Sequence, residues 1–386
     1  SVPTTKLEVT GDAKISGVTT ATAFIPSAGQ LGNRNLIING AMQVAQRGTS
    51  STTSGFGSLD RWDCRHNGAD EAPTHSQHAL TSSDTGPWEK GFRYSYHMQN
   101  GNQTGGAGAG DYNFIFQSIE AQNLACSGWE YTSTSSYITL SFWVKSSVAQ
   151  NFYGYLRIVD GTAQSIPFET GSLSVNTWKY VTVTFSGNSN ITVDNDNNLG
   201  MRVYWSPFQG TDYTANSKTV GTWSAYVNAE RHPDETSTWW TTNDATFEIT
   251  GVQLEVGSVA TPFEHRSYGD EFLRCARYYQ EQQGGSDVFM YAAKAQGTTT
   301  ADIGVALVVP LRGSPTVTCS SHRLFQSDAV AYTSSSTAPT VVQWDDAHSI
   351  HSATIALNAG GHSGITNNEC CTWAPSAAAL TFDSEI

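Results

Sequence analysis

The side chains best suited to chemistry in this chain are aromatic and lie between residues 205 and 240. Amide and charged side chains are interspersed among them. The aromatic members are Trp205, Phe208, Tyr213, Trp223, Tyr226, Trp239 and Trp240. The flat apolar face of Trp or Tyr fits the C–H patches of a sugar ring, and flanking polar groups bind its hydroxyls. The segment is therefore a candidate glycan-binding site.

Within this segment, some rings are candidates for burial and others for contact with a ligand. Trp205 and Trp223 are candidates for the core. Adjacent residues on a strand point to opposite faces, so we expect one of Trp239 and Trp240 to be exposed. The predicted glycan-binding set is Tyr213, Trp223, Tyr226, Arg231, Asp234, Trp239 and Trp240. Two alternatives stay open: the rings anchor the loop to the core, or they form a contact between subunits.

A second candidate site is the run Asp194-Asn-Asp-Asn-Asn198, which offers several oxygen ligands on one turn. Asp194, Asp196 and Asn198 are the predicted ligands of a structural Ca²⁺. The run lacks the central glycine and the final bidentate glutamate of an EF-hand loop. Asx-rich turns also form without any metal, so a solvated turn is the alternative. No other cofactor is expected.

No motif in the chain indicates catalysis. The ten histidines show no HExxH spacing, and there is no GxSxG elbow, P-loop or dinucleotide fingerprint. A glycosidase needs two carboxyl groups about 5–10 Å apart across the scissile bond. Asp345 and Asp346 are adjacent and would point to opposite faces of a strand, so they do not form such a pair. We predict no catalytic residues and no enzymatic activity.

The composition is typical of an all-β protein with neutral polar faces. Charged residues make up 14% of the chain and aromatic residues 11%. The formal net charge of −14 and the lack of a basic run argue against a nucleic-acid partner. No apolar run is long enough to span a membrane, and the N-terminus lacks a secretory signal, so neither membrane insertion nor signal-directed export is expected. The six cysteines are too dispersed for a disulfide scaffold.

Alternation of apolar and polar residues predicts a large β-sandwich over residues 31–264. A Pro- and Gly-rich hinge at residues 26–34 precedes it. The predicted strands are Phe92–Met98, Asn113–Ile119, Tyr137–Val144, Phe152–Val159, Lys179–Phe185, Leu199–Trp205 and Ala245–Val256. Seven strands with this spacing are typical of two packed sheets.

The remaining segments flank this sandwich. Apolar residues at three- and four-residue spacing predict a connecting helix over residues 265–283, which Gly284 and Gly285 would end. A smaller β-domain is predicted over residues 284–386. Residues 1–30 alternate as a short strand-turn-strand that cannot bury its own apolar face, so it needs the same segment of another chain. A frayed terminal arm is the alternative.

Several motifs resemble those of bacteriophage tail-fibre and receptor-binding proteins. They are the opening Asn35-Leu-Ile-Ile-Asn-Gly-Ala-Met42, the closing Leu254-Glu-Val-Gly with Thr261-Pro-Phe-Glu264, and Arg277-Tyr-Tyr-Gln280. Residues 7–24 resemble the shaft repeats of such fibres. Residues 304–317 resemble a terminal-domain signature, "VxFPxxMRxxPTV", but lack the aromatic residue before Pro310 and the Met after it. The resemblance covers roughly residues 31–280 and implies a carbohydrate-binding-module-like jelly roll.

The resemblance implies a homotrimeric virion fibre, made in the host bacterial cytoplasm, whose N-terminal arm joins other virion proteins. Its expected role is attachment to the host by binding a surface polysaccharide without cleaving it. Three weak sites on one rigid trimer would act together through avidity. The acidic chain favours neutral glycans, or anionic ones bridged by divalent cations. A capsid-decorating or head-fibre protein is the structural alternative, and a polysaccharide depolymerase is the enzymatic one.

Overall fold

The computed structural model describes residues 32–282, 291–326, 332–343, 354–363, 370–375 and 379–386. The predicted N-terminal arm at residues 1–30 and the pair Asp345–Asp346 lie outside the described residues. The trimerising role of the arm therefore stays a prediction.

Twelve strands between residues 50 and 256 form a β-sandwich of two antiparallel sheets. In chain order they are β1 (Ser50–Ser51), β2 (Asp63–Asn67), β3 (Thr74–Ala79), β4 (Tyr94–Gln99), β5 (Tyr112–Glu120), β6 (Tyr137–Ser146), β7 (Tyr153–Ile158), β8 (Gln164–Glu169), β9 (Lys179–Ser186), β10 (Leu199–Gln209), β11 (Ser224–Ala225) and β12 (Thr246–Val256). The first sheet has the order β1-β3-β4-β12-β6-β9, and the second has the order β11-β8-β7-β10-β5-β2. The prediction of an all-β jelly-roll sandwich is confirmed.

The core of the sandwich lies between the two sheets. It is filled by every second residue of the strands, because these residues point inward. In β6, Ile138, Leu140, Phe142 and Val144 are buried in this core. The ring of Phe142 lies 5.7 Å from that of Trp205 on β10, which joins the first sheet to the second. Strand alternation is thus what separates an inner face from an outer face on each sheet.

The opening and closing motifs are hydrogen-bonded to each other. The side chain of Asn35 accepts a bond from Leu254 N at 3.0 Å and donates one to Val252 O at 3.1 Å. Asn39 has φ of 58°, and its side-chain nitrogen donates to Val44 O at 2.8 Å. A Cβ on Gly40 would lie 2.1 Å from Val252 O, so only glycine allows this approach. The two motifs close the sandwich together.

Three short α-helices occur in the described part of the chain: α1 (Ala121–Ala125), α2 (Thr238–Thr241) and α3 (Tyr268–Ala276). The side chain of Ser267 caps α3 by accepting a hydrogen bond from Asp270 N at 3.2 Å. The helix predicted over residues 265–283 ends at Ala276, so the second half of that prediction is wrong. Its last residues form a strand, because they pair with residues near 380. No helix in the described ranges has the length and apolar character that crossing a membrane requires.

The C-terminal β-domain contains two further antiparallel sheets. Its strands are β13 (Tyr279–Gln282), β14 (Tyr291–Ala295), β15 (Ala301–Ala306), β16 (Thr316–Thr318), β17 (His322–Gln326), β18 (Tyr332–Ser335), β19 (Thr340–Gln343), β20 (Thr354–Ala359), β21 (Cys370–Pro375) and β22 (Leu380–Asp383). The small sheet has the order β13-β22-β16, and the large one β18-β17-β21-β14-β15-β20-β19. A separate core that includes Trp373 and Phe382 fills this domain.

Buried charges join the sandwich to the C-terminal domain. Arg61 is 1% exposed, forms an ion pair with Glu385 and lies 3.4 Å above the ring of Tyr278. Arg47 forms an ion pair with Asp383 at 3.0 Å. A guanidinium taken out of water is stable only when it is paired in this way. Two carboxylates near residue 385 therefore neutralise buried arginines of the sandwich.

Candidate functional site

The predicted pair Trp239 and Trp240 is buried, and both side chains are 0% exposed. The prediction that one of them is exposed is wrong. The pair lies on α2 rather than on a strand, and successive residues of a helical turn are only about 100° apart, so both rings can face inward. The indole of Trp240 packs 5.1 Å from Phe208 and donates a hydrogen bond to Gly106 O at 2.8 Å. Neither ring offers a face to a sugar.

Of the other predicted residues, Tyr213, Tyr226 and Arg231 lie over the outer face of the second sheet, whereas Trp223 packs against the core between the sheets. This face carries a buried aromatic cluster from β5, β7 and β10, made of Phe114, Phe116, Tyr155 and Tyr204. The rings of Tyr155 and Tyr204 are stacked 4.2 Å apart. Residues 210–236 fold over this cluster. We call this outer face of the second sheet the covered face.

Cationic and aromatic side chains of the loop form the cover. The ring of Tyr226 lies 6.4 Å from that of Tyr155, and the guanidinium of Arg157 lies 3.8 Å above Tyr226. Arg231 lies 4.4 Å above the ring of Tyr213 and 5.5 Å above that of Phe114. The structure thus brings Tyr213, Tyr226 and Arg231 onto one face, where they pack against the sheet.

Hydrogen bonds hold the other predicted residues in structural roles. Arg231 donates to Gln209 Oε1 at 2.7 Å and to Asn228 Oδ1 at 2.8 Å. Asp234 accepts a bond from the hydroxyl of Thr214 at 2.7 Å. The half-buried Trp223 donates to Ser186 O at 2.8 Å. These contacts favour the reading in which the loop is anchored to the core.

Two titratable side chains of the covering loop are fully buried, which shows that water is excluded from the space between the loop and the sheet. His232 and Glu235 each have 0% side-chain exposure, and His232 Nε2 lies 3.9 Å from Glu235 Oε1. Burial lowers the pKa of His232 to about 4. Burial likewise raises the pKa of Glu235 well above its usual value. Water has little access to this face.

The outer face of the first sheet is different, because it is open. A groove of about 750 Å³ lies there, within the range of about 300–1,000 Å³ that is typical of ligand sites. Its floor includes Trp143 on β6 and Tyr180 on β9, which are cross-strand partners with ring centroids 5.2 Å apart. Tyr180 is 43% exposed. We call this site the open groove.

Two glycines let the walls of the open groove approach the sheet. A Cβ on Gly86 would lie 2.6 Å from the ring of Trp143, so residues 84–91 can pack directly on that ring. Gly251 has φ of 61° at the bulge in β12, and a Cβ there would lie 2.6 Å from the ring of Phe92. Phe92 in turn packs 4.9 Å from Phe263. The walls are aromatic on both sides.

A charged cluster lies beside the open groove and outside its lining, because Lys145 is two residues from Trp143 on the same face of β6. Lys145 Nζ is 3.1 Å from Asp84 Oδ1 and 2.9 Å from Glu248 Oε1. The indole of Trp178 donates to Asp84 Oδ1 at 3.0 Å. Partial burial alone would raise the pKa of Asp84, but the hydrogen bonds from Trp178, from the backbone of Thr81 and from Lys145 lower it to about 2. Asp84 is therefore a fixed negative charge.

Sequence reasoning missed the open groove, although a signal was present. Trp143 alternates with the inward Phe142 and Val144 on β6, so it must point to the outer face. Tyr180 alternates in the same way with Val181. Neither Trp143 nor Tyr180 is among the residues predicted from the sequence to bind a ligand.

In the Asx-rich turn of the predicted calcium site, the carboxylate of Asp196 accepts hydrogen bonds from within the turn. Asp196 Oδ1 accepts from Asn198 N at 3.0 Å, and Asp196 Oδ2 accepts from the Asn198 amide at 2.6 Å. The backbone of Asp194 donates to Asp160 Oδ2 at 3.0 Å. These are the contacts of a solvated turn. Calcium binding by Asp194, Asp196 and Asn198 stays a prediction.

No protein-family model matches the chain, and no curated protein sequence matches it. Among solved structures, a tailspike domain of bacteriophage CBA120 aligns with a TM-score of 0.30 and 14% identity, over 57% of this chain but 21% of that one. The family 11 carbohydrate-binding module of Clostridium thermocellum, solved with a mixed-linked tetrasaccharide, aligns with a TM-score of 0.25 and 9% identity, over 55% of this chain and 98% of that one. A tandem CBM22 domain of Paenibacillus barcinonensis aligns with a TM-score of 0.27 and 10% identity, over 94% of this chain and 100% of that one. Such low scores establish no shared ligand.

Proposed function

We propose that this protein binds a polysaccharide in the open groove and does not cleave it. The observation that carries the proposal is the pair Trp143 and Tyr180 on the outer face of the first sheet. Tyr180 is 43% exposed, and the groove beside it is walled by further rings. An accessible aromatic platform with polar groups at its rim is the arrangement that a sugar ring requires.

The charges around the open groove favour binding over hydrolysis. Of the described residues that line it, only Glu89 carries a carboxylate. Hydrolysis of a glycosidic bond usually needs two such groups facing each other. Lys90 and His265 lie on the same rim, so the lining has little net charge, which suits a neutral glycan.

The setting we propose for this binding is a phage virion fibre that attaches to its host. The support is the sequence resemblance of the opening, closing and Arg-Tyr-Tyr motifs to those of tail-fibre proteins. In this setting the chain is a homotrimer, and its arm at residues 1–30 joins it to the virion. Three grooves of weak affinity then act together, because the second and third contacts become intramolecular.

Affinity electrophoresis of the purified protein tests the binding site. Separate gels contain a neutral β-glucan, a galactomannan, a dextran or a bacterial envelope polysaccharide. We expect retardation in at least one gel, and we expect Tyr180→Ala to reduce the affinity at least tenfold. Tyr137→Ala is the matched control, because Tyr137 lies on the same sheet and is 38% exposed. Equal loss in both variants, or no loss in Tyr180→Ala, removes the open groove from the proposal.

A second experiment tests the virion setting. Wild-type protein should block adsorption of the phage to host cells, whereas the Tyr180→Ala variant should not. Glycan binding without any block of adsorption would favour the capsid-decorating alternative. Release of reducing ends from the envelope polysaccharide would favour the depolymerase alternative.

A further inference from the structure

Three metal-ligating side chains meet on the outer face of the first sheet, next to the charged cluster beside the open groove. His78 on β3, His97 on β4 and Glu248 on β12 place their ligand atoms within 4.8 Å of one another. His97 and Glu248 are direct cross-strand partners. His78 is paired with Ser95, which lies two residues before His97 on β4 and therefore points to the same face. The register of three neighbouring strands therefore builds this cluster.

The nitrogen atoms of the cluster point at the carboxylate. His78 Nδ1 lies 3.3 Å from Glu248 Oε2, and His97 Nδ1 lies 4.0 Å from Glu248 Oε1. His97 Nδ1 is buried and has no hydrogen-bond partner in the described part of the structure. A buried ring nitrogen without a partner is costly unless something else binds it. A cation between the two rings and the carboxylate would provide that partner.

The surroundings of the cluster fit an accessible metal site. Ser95 donates to Glu248 Oε2 at 2.7 Å and orients the carboxylate, as outer partners of metal ligands commonly do. Glu248 is 4% exposed at its side chain, whereas His78 is 49% exposed. The site is thus rigid at its base and open to solvent at one position.

Lys145 is a contact that opposes a cation. Its Nζ lies 2.9 Å from Glu248 Oε1, where it supplies positive charge to the carboxylate. Asp84 offers the same ammonium a second partner at 3.1 Å. Lys145 can therefore release Glu248 to a metal and keep an ion pair.

We propose that His78, His97 and Glu248 bind one divalent transition-metal ion of the Zn²⁺ class. Two imidazoles and one carboxylate are ligands that Zn²⁺ accepts, with a fourth position left for water or an external ligand. The ion replaces the proton of His78 Nδ1 that now faces Glu248. The site uses none of the residues that line the open groove, so it is independent of the proposed function.

Calorimetric titration of the full-length protein with Zn²⁺, after removal of metals by a chelator, tests the site. We expect one Zn²⁺ per chain and a rise in Tm on binding. His78→Ala and His97→Ala should each weaken binding by at least about tenfold, since even outer partners of metal ligands cost about 10–100-fold. Lys145→Met should strengthen binding, because it removes the competing charge.

The controls separate the site from adventitious binding. His66→Ala removes a histidine of the second sheet and should leave Zn²⁺ affinity unchanged. Mg²⁺ and Ca²⁺, which prefer oxygen ligands, should not compete. Absence of one-to-one binding, or equal affinity in wild type and the His78→Ala variant, overturns the proposal. If His97→Ala does not fold, His78→Ala decides the question, because His78 is half exposed and its removal should leave the fold intact.

Discussion

The two outward faces of the sandwich both carry aromatic side chains, but they use them differently. On the second sheet, Tyr155 and Tyr204 are 1% and 4% exposed, since the loop of residues 210–236 packs over them. On the first sheet, Tyr180 is 43% exposed and flanks a groove. The difference shows that a local abundance of Trp and Tyr does not mark a ligand site by itself. What matters is whether a neighbouring loop covers the rings.

The lengths of the flanking loops explain the difference. The connection from β10 to β12 spans residues 210–245 and is long enough to fold back across the second sheet. Residues 84–91 and 257–265 are the corresponding segments beside Trp143, and they form walls rather than a lid. The open groove is what remains between these two short segments.

The largest effect should come from the core between the two sheets, which lies beneath both faces and contains Trp240. Trp240→Ala leaves a cavity in the core and removes a buried hydrogen-bond donor, so it should lower the free energy of unfolding by about 3–5 kcal/mol. Urea unfolding at pH 7 measures it. Thr241→Ala, in the same helical turn but exposed, should change stability by less than about 0.5 kcal/mol. A Trp240→Ala variant as stable as wild type would mean that the ring is not part of the core.

A slightly smaller loss of stability should follow from filling the space that Gly251 leaves under the ring of Phe92. Gly251→Ala adds a methyl group 2.6 Å from that ring, at a residue with φ of 61°. Backbone strain and overpacking together should cost about 2–4 kcal/mol. The displaced wall should also weaken polysaccharide retardation. Gly304→Ala is the control, because a Cβ there meets no atom within 4 Å; similar losses in both variants would contradict the contact.

The charged cluster beside the open groove should respond to pH. Asp84→Asn removes the charge that accepts from Trp178 and Lys145, and should cost about 1–2 kcal/mol at pH 7. The folded pKa of Asp84 is about 2, below its usual 3.8, so its contribution exists above pH 3.8 and is lost as the pH falls toward 2. Unfolding of both proteins at several pH values should therefore converge in acid. A constant difference would show that the charge is not responsible.

The smallest effect on stability should come from the open groove itself. Tyr180→Ala removes an exposed ring, so we expect a change within about 0.5 kcal/mol. Thermal unfolding measures this change. A loss as large as that of Trp240→Ala would show that Tyr180 is a core residue and would erase the contrast between the two faces.

Much of the sandwich was predictable, because its central strands alternate strictly. Val252 and Leu254 are buried on β12 as their alternation with polar residues indicated, although Gln253 and Glu255 are buried as well. Strands β1, β2, β3, β8 and β11 were not predicted. The residues of β3, Thr-His-Ser-Gln-His-Ala, offer almost no apolar pattern. Such a strand forms because its neighbours supply the ladder, which local sequence cannot show.

The candidate site was predicted less well, for two physical reasons. The exposure of Trp239 or Trp240 was inferred from strand geometry, but the pair lies on a helical turn. The continuation of α3 was inferred from the spacing of Tyr279, whose strand is held by pairing with Asp383 about a hundred residues later. The first error concerns the local choice between a strand and a helical turn, and the second concerns a tertiary contact that overrides local pattern. The Zn²⁺ cluster depends on cross-strand register, which no spacing in the sequence encodes.

The ion pair between Arg61 and Glu385 has a consequence for biosynthesis. These residues are 324 positions apart, so a ribosome completes the whole sandwich long before it delivers the carboxylate. Until then the guanidinium of Arg61 must stay hydrated, and the layer around Tyr278 cannot seal. The contact that seals the layer around Tyr278 therefore forms only after the strands of the sandwich have been synthesised.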